Sequence, residues 1–138
     1  MRQRKARGAV SLLTGPMMQN DNRSVLVVED DPAVGGAIAF ALRAEGYRVA
    51  TCATPAEAID QSLVDTPACL VVDFRLPGMD GLALIGALHR RGVMPAAVLV
   101  TTNPDRRCRQ RAAKANVVIV EKPLIGDALS RQISRLLS

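Results

Sequence analysis

The chain has 138 residues, of which 49% are hydrophobic and 22% charged, a composition typical of one soluble domain with a single core. It contains no run of about 18 apolar residues, which excludes a membrane-spanning protein. Three isolated cysteines and one histidine exclude a disulfide framework and a thiolate zinc site and favour a cytoplasmic location. With one Tyr, two Phe and no Trp, the chain also lacks the aromatic side chains on which single-strand nucleic-acid binders stack bases.

Positive charge is concentrated at two places. The net charge is +5, and residues 1–20 contribute four cations and no acid, namely Arg2, Arg4, Lys5 and Arg7. A second basic run, at 106–114, is typical of the solvated face of a helix. We therefore expect no specific nucleic-acid binding, and any weak binding should fall steeply with salt and disappear without residues 1–16.

Residues 1–23 contain Gly, Pro and Asn and have no sustained periodicity. This composition predicts a flexible basic tail, followed by one domain over 24–138. The apolar run at 9–13 is too short for a secretory leader. Met17 and Met18, close to the first predicted strand, offer an alternative start of translation.

Five short segments predict strands, at 25–28, 47–51, 68–72, 97–100 and 117–120, and the first is a wholly apolar, β-branched run of the kind expected in a strand buried on both faces. Each is followed by a helical pattern, and the helices are expected at 32–45, 55–64, 81–91, 105–115 and 124–137. Helix starts are marked by Asp31 and Asp80 as N-caps and by the capping box that Thr54 forms with Glu57. Regular alternation of strand and helix predicts an α/β fold, a doubly wound parallel sheet with helices on both faces.

In such a sheet, ligands bind at the carboxyl ends of the strands. Glu29 and Asp30 follow the first strand and Asp73 the third, so their carboxylates are expected at one edge. Two carboxylates about 4 Å apart repel by about 4 kcal/mol at an effective dielectric near 20, which favours a hard cation such as Mg²⁺ between them. Thr101 follows the fourth strand and Lys122 the fifth, and both suit a phosphoryl group. This placement predicts Mg²⁺-assisted phosphoryl transfer.

Four segments resemble the receiver domain of two-component response regulators: V-L-V-V-E-D-D-P, V-V-D-F-R-L-P-G-M-D-G, L-V-T-T and V-E-K-P. They occur in the family's order, each after its predicted strand. The resemblance covers the whole chain except the tail. It implies a flavodoxin-like fold with strand order 2-1-3-4-5.

The resemblance also assigns roles to individual residues. Asp73 matches the aspartate that accepts the phosphoryl group. Asp30 matches a direct ligand of Mg²⁺, Glu29 the neighbouring acid that acts through water, and the backbone carbonyl of Arg75 a further ligand. Asp73 would complete the metal site.

Two further positions complete the implied catalytic set. Thr101 matches the hydroxyl that moves onto the phosphoryl group, and Lys122 matches the lysine that pairs with it and precedes what is often a cis-proline, here Pro123. The resemblance therefore implies a stand-alone response regulator that accepts a phosphoryl group from a phosphohistidine. It would act as an interaction switch or phosphorelay intermediate, with no enzymatic activity beyond its own phosphorylation and dephosphorylation.

The implied partners are a bacterial sensor histidine kinase or a histidine phosphotransfer protein, together with an unidentified downstream protein. A homodimer through the fourth and fifth helices is compatible with the family. No membrane and no specific nucleic acid are expected as partners, and the implied compartment is the cytoplasm.

Some positions depart from the family pattern. Ile119 stands where a switching aromatic is common, and Thr102 where Ala or Gly is common. Arg75 puts a cation beside the site, and 113–116 lacks the usual glycine. These departures leave a second hypothesis open, a receiver-fold binding module that phosphorylation does not switch.

Two other function classes can be weighed from the residues. A nucleic-acid protein could use the basic tail and the arginine-rich helix. A hydrolase of the haloacid dehalogenase type would also use a nucleophilic aspartate, but Phe74 and Arg75 follow Asp73 where that superfamily has a second acid two residues on.

Overall fold

The computed structural model describes residues 23–138. The tail predicted over 1–23 lies, apart from Arg23, outside the described residues. The strands are β1 (Ser24–Val28), β2 (Arg48–Cys52), β3 (Cys69–Asp73), β4 (Ala96–Thr101) and β5 (Val118–Glu121). The helices are α1 (Pro32–Ala44), α2 (Pro55–Val64), α3 (Gly81–Arg90), α4 (Arg106–Lys114) and α5 (Ala128–Leu137).

The strands form one sheet in the order β2-β1-β3-β4-β5, and every neighbouring pair is parallel. The predicted fold class and strand order are therefore confirmed. Central strands β1, β3 and β4 are almost fully buried because helices cover both sheet faces. One core lies under α2, α3 and α4 and the other under α1 and α5.

The helix starts agree with the capping predictions. A carboxylate oxygen of Asp31 accepts the backbone N–H of Ala33 at 2.9 Å, and Thr54 Oγ1 accepts that of Glu57 at 3.2 Å. In return, the Glu57 carboxylate accepts the N–H of Ala53, one residue before the cap. These side chains satisfy backbone donors that the first helical turn leaves open, so local sequence is sufficient to place the starts of α1 and α2.

The last helix begins later than the pattern predicted. We expected helix from residue 124, but α5 starts at Ala128. Gly126 has φ +69, a left-handed conformation that cannot belong to a right-handed helix. Leu129 and Ile133 on this helix are buried in the core, so the helix packs against the sheet although it begins later than expected.

Strand boundaries differ from the predicted ones by about one residue. β3 extends to Asp73, which makes that residue the last of the strand instead of the first after it. β2 and β5 likewise lie one residue further along the chain. None of the helices within 23–138 has the length and apolar character needed to cross a bilayer.

Ser62 contributes an unsatisfied polar group to the buried side of α2. Its side chain is fully buried, and its Oγ makes no hydrogen bond within the described residues. We expect Ser62→Ala to raise the free energy of unfolding by about 1 kcal/mol, because alanine removes an uncompensated hydroxyl and favours helix. Urea denaturation measures the change.

Ser130→Ala is the matched control for that variant. Ser130 Oγ donates to the carbonyl of Asp127 at 3.1 Å in an exposed position, so its removal should change stability by less than about 0.5 kcal/mol. Equal effects of the two substitutions would show that the buried hydroxyl is satisfied in solution.

Candidate functional site

The carboxyl ends of four strands place the predicted site residues at one edge of the sheet. Pairing in register brings Asp73 opposite Val100 and Thr101 opposite Glu121, and Val28 lies beside Val72. The residues that follow these strand ends, or end them, are Glu29, Asp30, Asp73, Thr101 and Lys122. Parallel pairing is therefore what brings together side chains separated by up to 93 residues.

Three carboxylates form a cluster at this edge. Glu29, Asp30 and Asp73 each offer an oxygen that lies within 4.8 Å of the others. Glu29 and Asp73 are buried at 6% and 8% exposure, whereas Asp30 is exposed and faces the open side of the site. Hard oxygen donors with an open side match the coordination of Mg²⁺, which retains water ligands. The donor set therefore fits the cofactor expected from the sequence.

Lys122 lies between two of the carboxylates. Its Nζ is 3.2 Å from Glu29 Oε1 and 3.4 Å from Asp73 Oδ1. Burial lowers the pKa of Lys122, but its hydrogen bond to Glu29 and the charges of Asp73 and Glu29 outweigh burial, so the pKa lies above its usual range. Lys122 is therefore held as a cation against the cluster.

The ionisation of Glu29 is disfavoured in this arrangement. Burial raises its pKa above 4.5, and the charge of Asp73 raises it further, while hydrogen bonds from the Asp31 N–H and from Lys122 oppose the shift. The net direction is upward because two carboxylates share a poorly solvated space. A divalent cation would remove that repulsion.

The connection from β3 to α3 holds Asp73 in a tight turn. The N–H of Phe74 donates to the Val100 carbonyl at 2.9 Å, and the N–H of Gly81 donates to the Phe74 carbonyl at 2.8 Å. The N–H of Arg75 lies 3.4 Å from Asp73 Oδ1, so the Arg75 peptide is next to the carboxylate while its side chain is exposed. The turn therefore places the Arg75 peptide beside the Asp73 carboxylate.

Thr101 and Lys122 are linked through the backbone. Thr101 is buried at 3% exposure at the end of β4, and its carbonyl accepts the N–H of Lys122 at 2.9 Å. The peptide between Lys122 and Pro123 is cis, as the resemblance led us to expect. Thr102, one residue further, is exposed beside the site.

Two of the three cysteines are buried in the cores. Burial raises the pKa of Cys69 to about 12 and that of Cys52 to about 11, and it also raises the pKa of Cys108. Thiols with such pKa values are not nucleophiles at neutral pH. The cysteines therefore contribute to packing and not to the chemistry of the site.

One interaction near the site was not predicted. The sequence identified Asp80 only as the cap of α3, which it is, with Oδ1 accepting the N–H of Ala83 at 2.8 Å. The same carboxylate also binds both terminal nitrogens of Arg111 on α4, at 2.9 and 3.0 Å. Cys108 and Ala112 are the buried residues of α4, and Arg111 adjoins that stripe, a pattern that could have indicated a cation needing a partner.

The family model of the response regulator receiver domain matches residues 25–134. The chain therefore belongs to the response regulator receiver domains of two-component signalling. It is 31% identical over 114 residues to the C4-dicarboxylate transport transcriptional regulatory protein DctD of Pseudomonas aeruginosa, covering 82% of this chain and 25% of that protein. It is 33% identical over 106 residues to the transcriptional regulatory protein FixJ of Azorhizobium caulinodans, covering 76% of this chain and 50% of that protein. The chain thus spans half or less of the length of these two relatives.

Solved structures show the same architecture. A response regulator receiver domain from Bermanella marisrubri is 28% identical, with a TM-score of 0.76 and coverage of 84% of this chain and 98% of that one. The chemotaxis protein CheY4 of Vibrio cholerae has a TM-score of 0.76 at 21% identity, over 82% of this chain and 97% of that one, which shows the shared fold. Receiver domains bind Mg²⁺ at an acidic pocket, and the cluster of Glu29, Asp30 and Asp73 provides one here.

Proposed function

We propose that residues 24–138 form a receiver that accepts a phosphoryl group on Asp73 and acts as a phosphorylation-controlled interaction switch or phosphorelay intermediate. The observation that carries the proposal is the position of the Asp73 carboxylate. It lies at a strand end, with an oxygen within 4.8 Å of oxygens of Glu29 and Asp30 and 3.4 Å from Lys122. Asp73 is therefore a nucleophile with a cation, Lys122, beside it to neutralise phosphoryl charge, and with two acids that would hold a divalent cation.

In this proposal, a carboxylate oxygen of Asp73 attacks the phosphorus of a phosphohistidine on the partner. The new O–P bond forms as the P–N bond breaks, and the electron pair leaves with the imidazole, which takes up a proton. Lys122 is already within ion-pair distance of Asp73 and neutralises the negative charge that spreads over the phosphoryl oxygens. Chemistry ends with this acyl phosphate and its hydrolysis, so the protein is a phosphoacceptor and not a classical enzyme.

The metal would be held by Asp30 and Asp73 directly, by the Arg75 backbone carbonyl, and by Glu29 through water. When bound, Mg²⁺ supplies positive charge to the phosphoryl oxygens. Asp30 is suited to the direct role because it is the exposed member of the cluster, whereas Glu29 is buried and engaged by Lys122 and the Asp31 N–H. Loss of Asp30 should therefore weaken the metal site more than loss of Glu29.

The partner that presents the phosphohistidine would dock on the groove between α1 and α5. This groove has a volume of about 680 Å³, and Lys122 and Thr102 lie at its end beside the site. Its other walls are mostly apolar and include Ala33, Ala37, Ala41, Leu124 and Leu129. A helix of a histidine kinase or phosphotransfer protein would fit such a groove and would bring its histidine to Asp73. The proposed location is the cytoplasm, where that partner would present its phosphohistidine.

Incubation with Mg²⁺ and acetyl phosphate, followed by intact-mass analysis, tests the proposal. We expect one phosphoryl adduct, located at Asp73 by borohydride trapping and peptide mapping, and none in Asp73→Asn. Asp60→Asn, at an exposed position on α2, is the matched control and should be phosphorylated like the wild type. Equal uptake by Asp73→Asn and wild type would overturn the assignment, and continuous turnover of phosphate esters would favour a hydrolase.

Thr101→Ala separates phosphorylation from its structural response. We expect the variant to bind beryllofluoride, a phosphoryl mimic, because Asp73 and the carboxylate cluster are intact. It should lose most of the amide shift changes that the wild type shows in 101–116, since the hydroxyl that moves onto the phosphoryl group is absent. Changes near Ile119 should be small in both proteins. Two-dimensional amide spectra measure this; no response in the wild type would favour the unswitched binding module.

A further inference from the structure

Arg111 on α4 contacts both ends of the connection that carries the phosphoacceptor. At the far end, its two terminal nitrogens bind the Asp80 carboxylate at 2.9 and 3.0 Å. At the near end, its guanidinium lies over the Phe74 ring, 5.9 Å from the centroid, and Phe74 directly follows Asp73. One side chain thus links the fourth helix to the segment 74–80.

The segment 74–80, which Arg111 contacts at both ends, is itself held by hydrogen bonds. Asp80 caps α3, Gly81 donates to the Phe74 carbonyl at 2.8 Å, and the Phe74 N–H is bound to β4. Because the Asp80 carboxylate also caps α3, it has little freedom to move together with Arg111. The planar fork of arginine requires both oxygens in a defined orientation, so the pair constrains α4 in position and in rotation.

Apolar packing holds α4 only weakly by comparison. Its buried residues are the small side chains Cys108 and Ala112. In contrast, α3 buries Leu82, Leu84, Ile85 and Leu88, together with Gly81. The other ion pair of α4, between Arg109 and Glu121, is exposed on both sides at 54% and 52%, whereas the Arg111–Asp80 pair is 34% and 31% exposed. Apolar packing therefore contributes little to fixing the position of α4. The two-pronged ion pair between Arg111 and Asp80, here called the fork, contributes a large share.

We propose that Arg111 is a positioning residue that tethers α4 to the phosphoacceptor segment and thereby sets how far α4 responds to phosphorylation. The inference rests on the proposed function of Asp73 and adds a part of its regulation. Thr101 ends β4 five residues before α4 begins, so its movement pulls on the first turn of the helix. The fork opposes that pull, and its loss lowers the free-energy difference between the two positions of α4.

Amide hydrogen exchange and amide spectra of the full chain test the tether without any phosphoryl donor. In Arg111→Ala, we expect exchange across 106–114 to accelerate about tenfold, and α4 resonances to move towards their beryllofluoride-bound positions. Arg109→Ala, on the same helix with an exposed partner, should change exchange by less than about twofold. Acceleration of the same size in both variants, or in neither, would refute the tether.

Asp80→Asn is a second variant, and it distinguishes loss of the tether from general unfolding of the protein. Asparagine keeps the cap on α3 but breaks the charge-assisted fork, so the exchange of α3 should stay at the wild-type level while α4 accelerates. Arg111→Lys keeps the charge and loses the fork, and it should resemble Arg111→Ala. Wild-type behaviour of Arg111→Lys would mean that charge alone is sufficient, which contradicts the proposed role of the fork.

Whether Arg111 tethers α4 can be tested separately from whether Asp73 accepts a phosphoryl group. Phosphoryl uptake by mass is measured on the same variants and should remain, because no residue of the carboxylate cluster is changed. If the wild type takes up no phosphoryl group but α4 loosens only in the fork variants, the tether holds and the proposed function fails. If the wild type takes up the phosphoryl group but α4 is unaffected by loss of the fork, the proposed function holds and the tether fails.

Discussion

Gly81→Ala is expected to destabilise the fold by about 3 kcal/mol, the largest stability effect of any single methyl group that we anticipate here. A Cβ at this position would lie 2.6 Å from the Asp73 carbonyl oxygen, 2.8 Å from Val72 and 2.9 Å from Leu99. The first of these is backbone at the end of β3, which cannot move without shifting Asp73 itself. The penalty therefore comes from steric overlap in a packed core and from displacement of the turn.

Chemical denaturation of Gly81→Ala against Gly36→Ala measures the effect. Gly36 lies on an exposed face of α1, and a Cβ there meets nothing within 4 Å. The control should be more stable than the wild type by about 0.5–1 kcal/mol, since alanine has the higher helix propensity. If Gly81→Ala is folded with wild-type stability, the close approach of α3 to β3 is not as described.

Magnesium is expected to stabilise the wild type by about 1.4 kcal/mol at ten times its dissociation constant, equivalent to a rise of about 5 °C in melting temperature. We expect that constant to lie in the millimolar range or somewhat below. The reason is the cost of holding Glu29, Asp30 and Asp73 within 4.8 Å of one another with Lys122 as the nearest cation. A divalent ion binds only the folded arrangement, because Glu29 and Asp30 follow β1 whereas Asp73 ends β3, and the three carboxylates meet only when these strands pair. The stabilisation should therefore disappear on chelation.

The stabilisation by Mg²⁺ should also depend on pH, and the raised pKa of Glu29 determines whether it increases or decreases as the pH rises. The pKa of Glu29 is raised in the fold, chiefly by burial and also by Asp73. Its contribution to stability is therefore fully present below the unfolded value of 4.5 and is lost as the pH rises through the folded pKa. Magnesium offsets that loss, so its effect should be larger at pH 7 than at pH 4.5, where protons compete for the carboxylates.

Thermal unfolding with Mg²⁺ or with a chelator, at both pH values, measures these effects. Asp30→Ala should lose nearly all the metal-dependent rise, Glu29→Ala only part of it, and Asp60→Asn none, because Asp60 lies on α2 outside the cluster. In the chelated protein, Glu29→Gln should flatten the decline in stability between pH 4.5 and 7. Equal losses in Asp30→Ala and Glu29→Ala would contradict the ranking of the two acids, and a pH-independent effect would contradict the role of Glu29.

The amino-acid sequence was sufficient for the features that depend on neighbouring residues. Short segments between helical patterns, the first of them wholly apolar and β-branched, identified the five strands. Asp31, Thr54 and Asp80 marked helix starts, since each cap binds N–H groups two or three residues away. The alternation of strand and helix then led to a parallel sheet and to its ligand-binding edge. The fold, and the meeting of Glu29, Asp30 and Asp73 with Lys122 at one sheet edge, could be predicted because both follow from local patterns and from chain order.

The exact ends of the helices and strands, and the electrostatics of the site, required the tertiary structure. The burial of Glu29 against the exposure of Asp30, adjacent in sequence, depends on how β1 meets α1 and β3. The ion pair between Lys122 and Glu29 spans 93 residues, and the Arg111–Asp80 fork spans 31. Desolvation, charge pairing and the tight approach of Gly81 arise only when separate elements pack together, and local sequence carries no measure of those distances.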